Sequence, residues 1–416
     1  MKRLWQQTCS FSPAARLLMV NQFGINLGFY MLMPYLAAHL SHELGLAAWA
    51  VGLVLGVRNF SQQGMFLIGG TLADRFGYKR PIMAGCLLRT VGFGLLGWVD
   101  NLPALVAASA ATGFAGALFN PAVRAYLAGE AGERRVDAFA VFNVYYQAGM
   151  LLGPIAGLAL LMADFRLVCT VAAVIFAALT LLQWRALPTG DGYTAGMEHS
   201  GVLSQWRTVV SNRPFLLFAV AMTGSYVLSF QLYLALPLAA SDALGASGPL
   251  VTSGLFVVSA AVAVAGQLRL TGWAKARWRP EQALVRGLVA MGLAFAPLAV
   301  TPRNSSLAVL ASLGAAVVLL AAGSAVVYPL EMDTVVALSG DRLVATHYGL
   351  YNTVSGLGIA LGNLVTGAVW DFALRQDALW LSWAALTATG LACAASVAAL
   401  GQSGHLTARR PEPVPT

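Results

Sequence analysis

Ionisable side chains are scarce in this 416-residue chain, with 25 Lys and Arg, 17 Asp and Glu, and 5 His. Two of them, Arg58 and Arg89, stand inside long apolar runs. Arg58 precedes Asp74 by 16 residues, or about 24 Å of helix, and Arg89 lies roughly 12 Å beyond Pro81 on the same scale. A charge at such depth in lipid costs roughly 2.5 kcal/mol or more unless it is paired or wet. Gln62 follows Arg58 by one turn, so amide and guanidinium share a helix face. Arginine presents a planar fork suited to a carboxylate or phosphate. With no acid at that depth, the positive potential favours zwitterionic or anionic ligands over permanent cations. Arg58 therefore reads either as a ligand contact or as a structural arginine satisfied by amides and carbonyls. Arg89 has the same two readings.

The acids behave differently. Each lies in a polar turn or within about a turn of a helix end, and none is mid-membrane. Glu331 and Asp333, with Asp74, Asp137 and His347, gather near one face. They are the available groups for carrying a proton, and Asp74 and Glu331 are the first choices. Bond-breaking chemistry finds no support. The only lysines are Lys2, Lys79 and Lys275, none followed by Ser or Thr, so there is no phosphate-cradling P-loop. Neither H-E-x-x-H nor G-x-S-x-G occurs. Cys9, Cys86, Cys169 and Cys393 are far apart and show no metal or redox spacing. The sequence predicts no enzyme, no cofactor and no metal.

These residues need membrane-spanning elements to hold them. Hydrophobic residues make up 58% of the chain and charged residues 10%, against about 25% charged in an ordinary soluble domain. Apolar runs exceed about 18 residues repeatedly. The pattern predicts an all-α integral membrane protein of twelve transmembrane helices, in two pseudo-symmetric six-helix halves. The halves are 1–184 and 214–400, joined by a polar linker at 185–213 and followed by a tail at 401–416. Helix 1 (about 15–40) carries Asn26, Tyr30 and Pro34; helix 2 carries Arg58 and Gln62 and ends near Asp74. Helix 4 carries Asn120 and, at its inner end, Arg124. Helix 7 carries Gln231 and Tyr233, and helix 10 carries Tyr328 and Glu331. Two echoes point to duplication. Met33-Pro34-Tyr35-Leu36-Ala37 recurs as Leu236-Pro237-Leu238-Ala239-Ala240, and Gly149-x-x-x-Gly153-Pro154 recurs weakly as Gly358-x-x-x-Gly362-Asn363. The net charge of +8 is spread over alternate short loops, which argues against nucleic acid. Only Arg166, Arg303 and Arg375 fall in the opposite loops, so both termini are expected to be cytoplasmic.

The most specific stretch is Gly70-Thr71-Leu72-Ala73-Asp74-Arg75-Phe76-Gly77-Tyr78-Lys79-Arg80-Pro81. It is too short for a domain and too charged for lipid, so it is a tight turn at one membrane face. Gly77 suits a backbone position with φ > 0, and Pro81 suits the first turn of the following helix. The run resembles the loop between the second and third helices of the major facilitator superfamily, G-x-x-x-D-[RK]-x-G-x-[RK]-[RK]. That resemblance implies a charge relay in which Asp74, Arg75, Lys79 and Arg80 latch the two halves on the cytoplasmic side. Arg124 is the expected partner of Asp74. The corresponding loop of the second half, 270–280, lacks the Asp and the central Gly, so a latch there is expected to be degenerate.

A second run, Gly149-x-x-x-Gly153-Pro154-x-x-Gly157, places three bare backbone patches in one stripe where a neighbouring helix can approach closely. It resembles the fifth-helix motif of the superfamily's antiporters. The runs around Arg58–Gly64 and Gly113–Pro121 are similar to the drug:proton antiporter group. The R-x-x-x-G signature of many proton antiporters is absent, with Ser109 where its Arg would stand. The resemblance implies a monomeric exporter of drug-like molecules in a bacterial cytoplasmic membrane, with the lipid bilayer, a small-molecule substrate and protons as partners. It also implies a central cavity, whose wall candidates are Asn26, Tyr30, Arg58, Gln62, Asn120, Gln231, Tyr233 and Tyr328. Arg89 leans to the structural reading, since the third helix is peripheral in that superfamily. Two other readings remain: a facilitator or importer of a small anionic metabolite, and a non-transporting receptor or assembly partner.

Overall fold

In lipid every backbone N–H and C=O must find a partner within the protein, which favours helices for runs this apolar. The computed structural model describes residues 2–188, 201–302, 305–404 and 406, and these are helical with no strand. The middle of the expected linker and most of the expected tail, with Arg303, lie outside the described residues. In chain order the helices are α1 (Lys2–Cys9), α2 (Pro13–Ala38), α3 (Ala48–Gly64), α4 (Phe66–Phe76), α5 (Lys79–Trp98) and α6 (Leu102–Ala131). They continue as α7 (Arg135–Leu161), α8 (Phe165–Ala186), α9 (Val202–Val210), α10 (Arg213–Phe230), α11 (Ala235–Leu244) and α12 (Gly248–Arg277). The last are α13 (Pro280–Leu293), α14 (Ala296–Val300), α15 (Ser306–Ser339), α16 (Val344–Arg375) and α17 (Trp380–Gln402).

Nine segments among the described residues are long and apolar enough to cross a membrane, one of which, Leu102–Leu161, spans both α6 and α7. Neither α2 nor the α3–α4 pair is among them. The first carries Asn21, Gln22 and Asn26, and the second is broken at Met65 and carries Arg58, Asn59, Gln62 and Gln63. The polar residues that make these segments less apolar include Asn26, Arg58 and Gln62, singled out above as chemically interesting. Local signals set the ends. Ser12, Asn101, Asp164, Asn212 and Ser305 cap α2, α6, α8, α10 and α15 with their side chains, satisfying otherwise orphaned N–H groups. The short α1, which the sequence reading did not anticipate, leaves Trp5 exposed.

Helices α2 to α8 pack on one another, as do α10 to α17, giving two bundles. The glycine stripe lies on the α2–α7 seam. A Cβ at Gly149 would stand 2.5 Å from Phe23 O, one at Gly153 2.7 Å from Tyr30 Cβ, and one at Gly157 2.1 Å from Met31 O. The bare faces let the helices approach closely enough for Tyr35 Oη to donate to Pro154 O at 2.7 Å. The weak echo does equivalent work in the second bundle. A Cβ at Gly358 would meet Thr223 Cγ2 at 1.8 Å, and one at Gly362 would meet Val227 Cγ2 at 2.5 Å, across the α16–α10 seam.

A leucine forced onto the first seam has nowhere to go, and overpacking of this kind typically costs about 1–3 kcal/mol. Gly153→Leu is therefore expected to lower the thermal unfolding midpoint of the purified protein and to abolish its activity. An unchanged midpoint would mean that α2 and α7 are not held at this spacing.

Candidate functional site: an inter-bundle helix cap and a buried polar cluster

The turn between α4 and α5 is built as its residues demand. Gly77 has φ +79°, a region costly for any residue bearing a Cβ. Gly70 faces the second bundle, where a Cβ would lie 2.1 Å from Ala345 O. That bareness brings Asp74, one turn later, onto the first turn of α16. Its Oδ1 accepts from Ala345 N at 3.1 Å, and its Oδ2 accepts from Thr346 N and Thr346 Oγ1, each at 2.7 Å. Leu343, which precedes α16, has no side chain able to cap it. Asp74 is thus an N-cap supplied by the other bundle, placing a carboxylate where orphaned N–H groups and the helix dipole both favour negative charge.

This corrects the expected pairing of Asp74 with Arg124. Asp74 is 5% exposed and takes its short hydrogen bonds from the start of α16, with a longer one from the Tyr78 hydroxyl at 3.5 Å. Arg124 instead donates to Asn352 Oδ1 of α16 at 3.0 Å. The basic residues of the turn also divide their roles. Lys79 donates to Trp184 O at 3.0 Å and Leu187 O at 2.6 Å, closing the C-terminus of α8, while Arg75 and Arg80 are exposed.

The related seam between α7 and α12 is not degenerate. It uses other residues. Lys275 of α12 pairs with Asp137 of α7 at 2.6 Å. Deeper, Asn143 Nδ2 donates to Gln267 Oε1 at 2.7 Å, and Gln267 in turn donates to Ala325 O of α15 at 2.6 Å. Arg135 of α7 reaches Asp333 at 3.0 Å and Asp341 at 2.9 Å. A further tie escaped the sequence reading: Trp206 of α9 donates its indole N–H to Thr71 Oγ1 of α4 at 2.8 Å.

Above the latch, α6, α10, α15 and α16 bring together a polar cluster. Glu331 is buried and receives the Tyr351 hydroxyl. Tyr351 packs edge-on against Tyr226, with ring centroids 6.1 Å apart, and Arg124 reaches the neighbouring Asn352. The Nε of Arg124 and the Nδ2 of Asn352 have no hydrogen-bond partner. Arg124 and Glu331 face this cluster from opposite bundles and form no ion pair, since the four ion pairs among described residues involve neither.

The other wall candidates scatter. Asn26 donates to Tyr146 O at 3.3 Å across the α2–α7 seam, and Tyr30 is half-buried beside it. Asn120 turns back to Gly116 O at 2.8 Å. Tyr328 is half-buried. Gln231 is fully buried and bonded to Val227 O and Asn363 Oδ1, so it braces the break between α10 and α11 instead of facing open space. Tyr233 is 48% exposed and packs on Phe256 at 5.0 Å. Arg58 donates to Asn59 Oδ1 at 2.7 Å and Gln62 Oε1 at 2.9 Å; amides of its own helix take up part of its fork.

The sequence profile of the Major Facilitator Superfamily matches residues 18–363, more than four-fifths of the chain. The chain belongs to the Major Facilitator Superfamily. It is 54% identical over 390 residues to an uncharacterised MFS-type transporter of Mycobacterium tuberculosis, covering 93% of each chain. It is 30% identical over 372 residues to the multidrug resistance protein MdtH of Salmonella typhi, covering 88% of this chain and 89% of that one. Among solved structures it resembles the human organic anion transporter TETRAN, with a TM-score of 0.67 at 16% identity, covering 92% of this chain and 99% of that one. This major facilitator is therefore a multi-pass membrane transporter of small molecules, and not an enzyme.

The latch gives a direct test in this transporter. Asparagine keeps one acceptor but removes the charge and the second acceptor from the α16 cap, a change worth about 1–2 kcal/mol. Asp74→Asn should then open the latch end more often by roughly 5- to 30-fold. The readout is the alkylation rate of a cysteine introduced by Ser355→Cys, in a background without the native cysteines. Equal rates with and without the Asp74→Asn substitution would show that the cap does not hold the bundles together.

Proposed function

We propose that the chain is a twelve-helix secondary transporter of the bacterial cytoplasmic membrane that exports small drug-like or metabolite molecules by alternating access. In this reading the helices count as α2, α3–α4, α5, α6, α7 and α8 for residues 1–184, then α10–α11, α12, α13–α14, α15, α16 and α17 for 214–400. The segments 185–213 and 401–416 are cytoplasmic, as are both termini, and the working unit is a monomer. The observation that carries the proposal is the cap donated by Asp74 to α16. It is a closure between bundles made of a few strong, local hydrogen bonds, at the end where the basic turns lie. Such a contact can be broken and remade without unfolding either bundle.

Coupling is assigned to protons and to Glu331. Asp74 is engaged by the start of α16 in the closed latch and acts as the latch itself. Glu331 has neighbours that can serve either protonation state, since a tyrosine hydroxyl donates to a carboxylate and accepts from a carboxylic acid. It also stands opposite Arg124, so loading or releasing a proton changes the charge balance of the cleft between the bundles. Substrate recognition then falls to the same cleft. The unmatched donors of Arg124 and Asn352 suit a substrate bearing a carboxylate, anionic or zwitterionic, with Tyr30 and Tyr328 as aromatic wall. The 30% identity to MdtH supports export of drug-like molecules. Import or facilitated diffusion of an anionic metabolite is the alternative, and it needs no proton site.

The experiment is flux in proteoliposomes with and without an imposed pH gradient, for the wild type and Glu331→Gln, over a panel of anionic, zwitterionic and cationic drug-like compounds. Wild-type flux should rise when protons can move against the substrate. Glu331→Gln should lose that response while retaining exchange at equal pH. Wild-type flux indifferent to the gradient would establish the facilitator reading, and absence of flux for every compound would reject this substrate class.

A further inference from the structure

Arg89 is a buried charge with no acid paired to it among the described residues. It is 3% exposed, and no carboxylate, carbonyl or amide among the described residues accepts a hydrogen bond from it. Its Nε is buried without a partner. What surrounds it is aromatic: the guanidinium carbon lies 4.7 Å from the ring centres of Phe29 and Phe119 and 5.4 Å from that of Phe176. Arg58 shares one of those rings, at 4.6 Å from the centre of Phe29, and its own Nε is likewise unpartnered. Two guanidinium groups thus flank one phenyl ring, with no acid beside either.

Phenyl faces stabilise a cation through the ring quadrupole. They do not supply hydrogen-bond acceptors, and arginine stays protonated in proteins. Breaking up a buried ion pair by removing one partner is strongly destabilising because the remaining charge is uncompensated, and here two like charges share one neighbourhood. The local backbone is also shaped to admit these groups. A Cβ at Gly116 would lie 3.1 Å from both Arg89 Nη2 and Gln62 Cδ, so both converge on the one bare Cα of α6. Gln62 also accepts from Arg58, linking the two arginines through its amide.

We propose that Arg89 and Arg58, with the Gln62 amide over Gly116, hold a small monovalent inorganic anion of the halide class within the first bundle. Arginine forks and amide N–H groups are the donors such an ion requires, and its charge offsets their repulsion. A small ion is favoured over the carboxylate of a drug-sized molecule because Arg89 is closed off by three phenyl rings. The site lies in the packing of α2, α3, α5, α6 and α8. It is separate from the cluster of Arg124, Asn352 and Glu331, and independent of the direction and coupling of transport.

The test uses the purified full-length protein in neutral-lipid nanodiscs, with chloride replaced stepwise by gluconate at constant ionic strength. An ion bound only by the folded state raises the unfolding midpoint by mass action. A saturable rise of roughly 2–4 °C with chloride is expected for the wild type. Arg89→Gln should remove that rise. Gly116→Ala, which keeps both cations but drives a methyl group against Arg89 and Gln62, should weaken it at least tenfold in chloride concentration. Should Arg89→Gln fail to fold, Gly116→Ala and Arg58→Gln carry the test. A wild-type midpoint indifferent to chloride overturns the proposal, as does a chloride response left intact in the variants. Acetate matching chloride would assign the pocket to carboxylates and overturn the halide assignment. Anomalous scattering from bromide in crystals should place one peak at Arg89, and scattered surface peaks alone would mean an adventitious ion only.

Discussion

Asp74 caps a helix to which it does not belong. The first turn of α16 presents N–H groups with no local acceptor, because Leu343 cannot cap it, and the carboxylate of the opposite bundle provides what is missing. Each side is incomplete alone: within its own bundle the acid keeps only a long 3.5 Å contact from the Tyr78 hydroxyl, and the helix end has no side-chain cap of its own. Closing the bundles satisfies both at once. The contact is accordingly strong and local, three hydrogen bonds to two successive residues. Glycine at 70 is its geometric condition, since any side chain there would collide with the Ala345 carbonyl.

The α7–α12 seam meets a related requirement with different chemistry. Lys275 and Asp137 form an ion pair there, and Asn143 and Gln267 carry amide contacts deeper into the seam. The requirement is a polar contact between two apolar bundles; more than one set of side chains meets it. A sequence pattern defined on one solution does not register the other. The two seams also differ in exposure. Lys275 and Asp137 are more than one-third exposed at the side chain, where screening weakens ion pairs, so the buried Asp74 cap is the stronger of the two closures.

Within the first bundle the physical problem is reversed. Arg58 and Arg89 are charges without acids, and the bundle accommodates them by phenyl faces, by amides and by a bare glycine. These devices explain how cations persist at such depth, and the shortage of acceptors around Arg89 makes an anion the natural complement. Polar groups therefore separate by task. Those between the bundles pair carboxylates, amides and cations across helix ends, and those inside a bundle are held by aromatic faces and amides.

The sequence by itself determined what depends on composition and short spacing. Apolar runs fixed helices in lipid, the Gly70–Pro81 run specified the turn and its family, the Gly149–Gly157 period required a closely packed partner, and the depth of Arg58 and Arg89 followed from counting residues. These features are local, set by neighbours a few positions away along one chain segment. Only the tertiary structure decided which groups meet across segments. It gave Asp74 to the start of α16 instead of Arg124, Arg124 to Asn352, and Glu331 to Tyr351, and it turned Gln231 into a brace. Backbone N–H groups carry no residue-specific mark, so a carboxylate whose partners are helix-end amides cannot be paired by reading side-chain types. Where two bundles meet, the pairing is set by which helix ends the packing brings together.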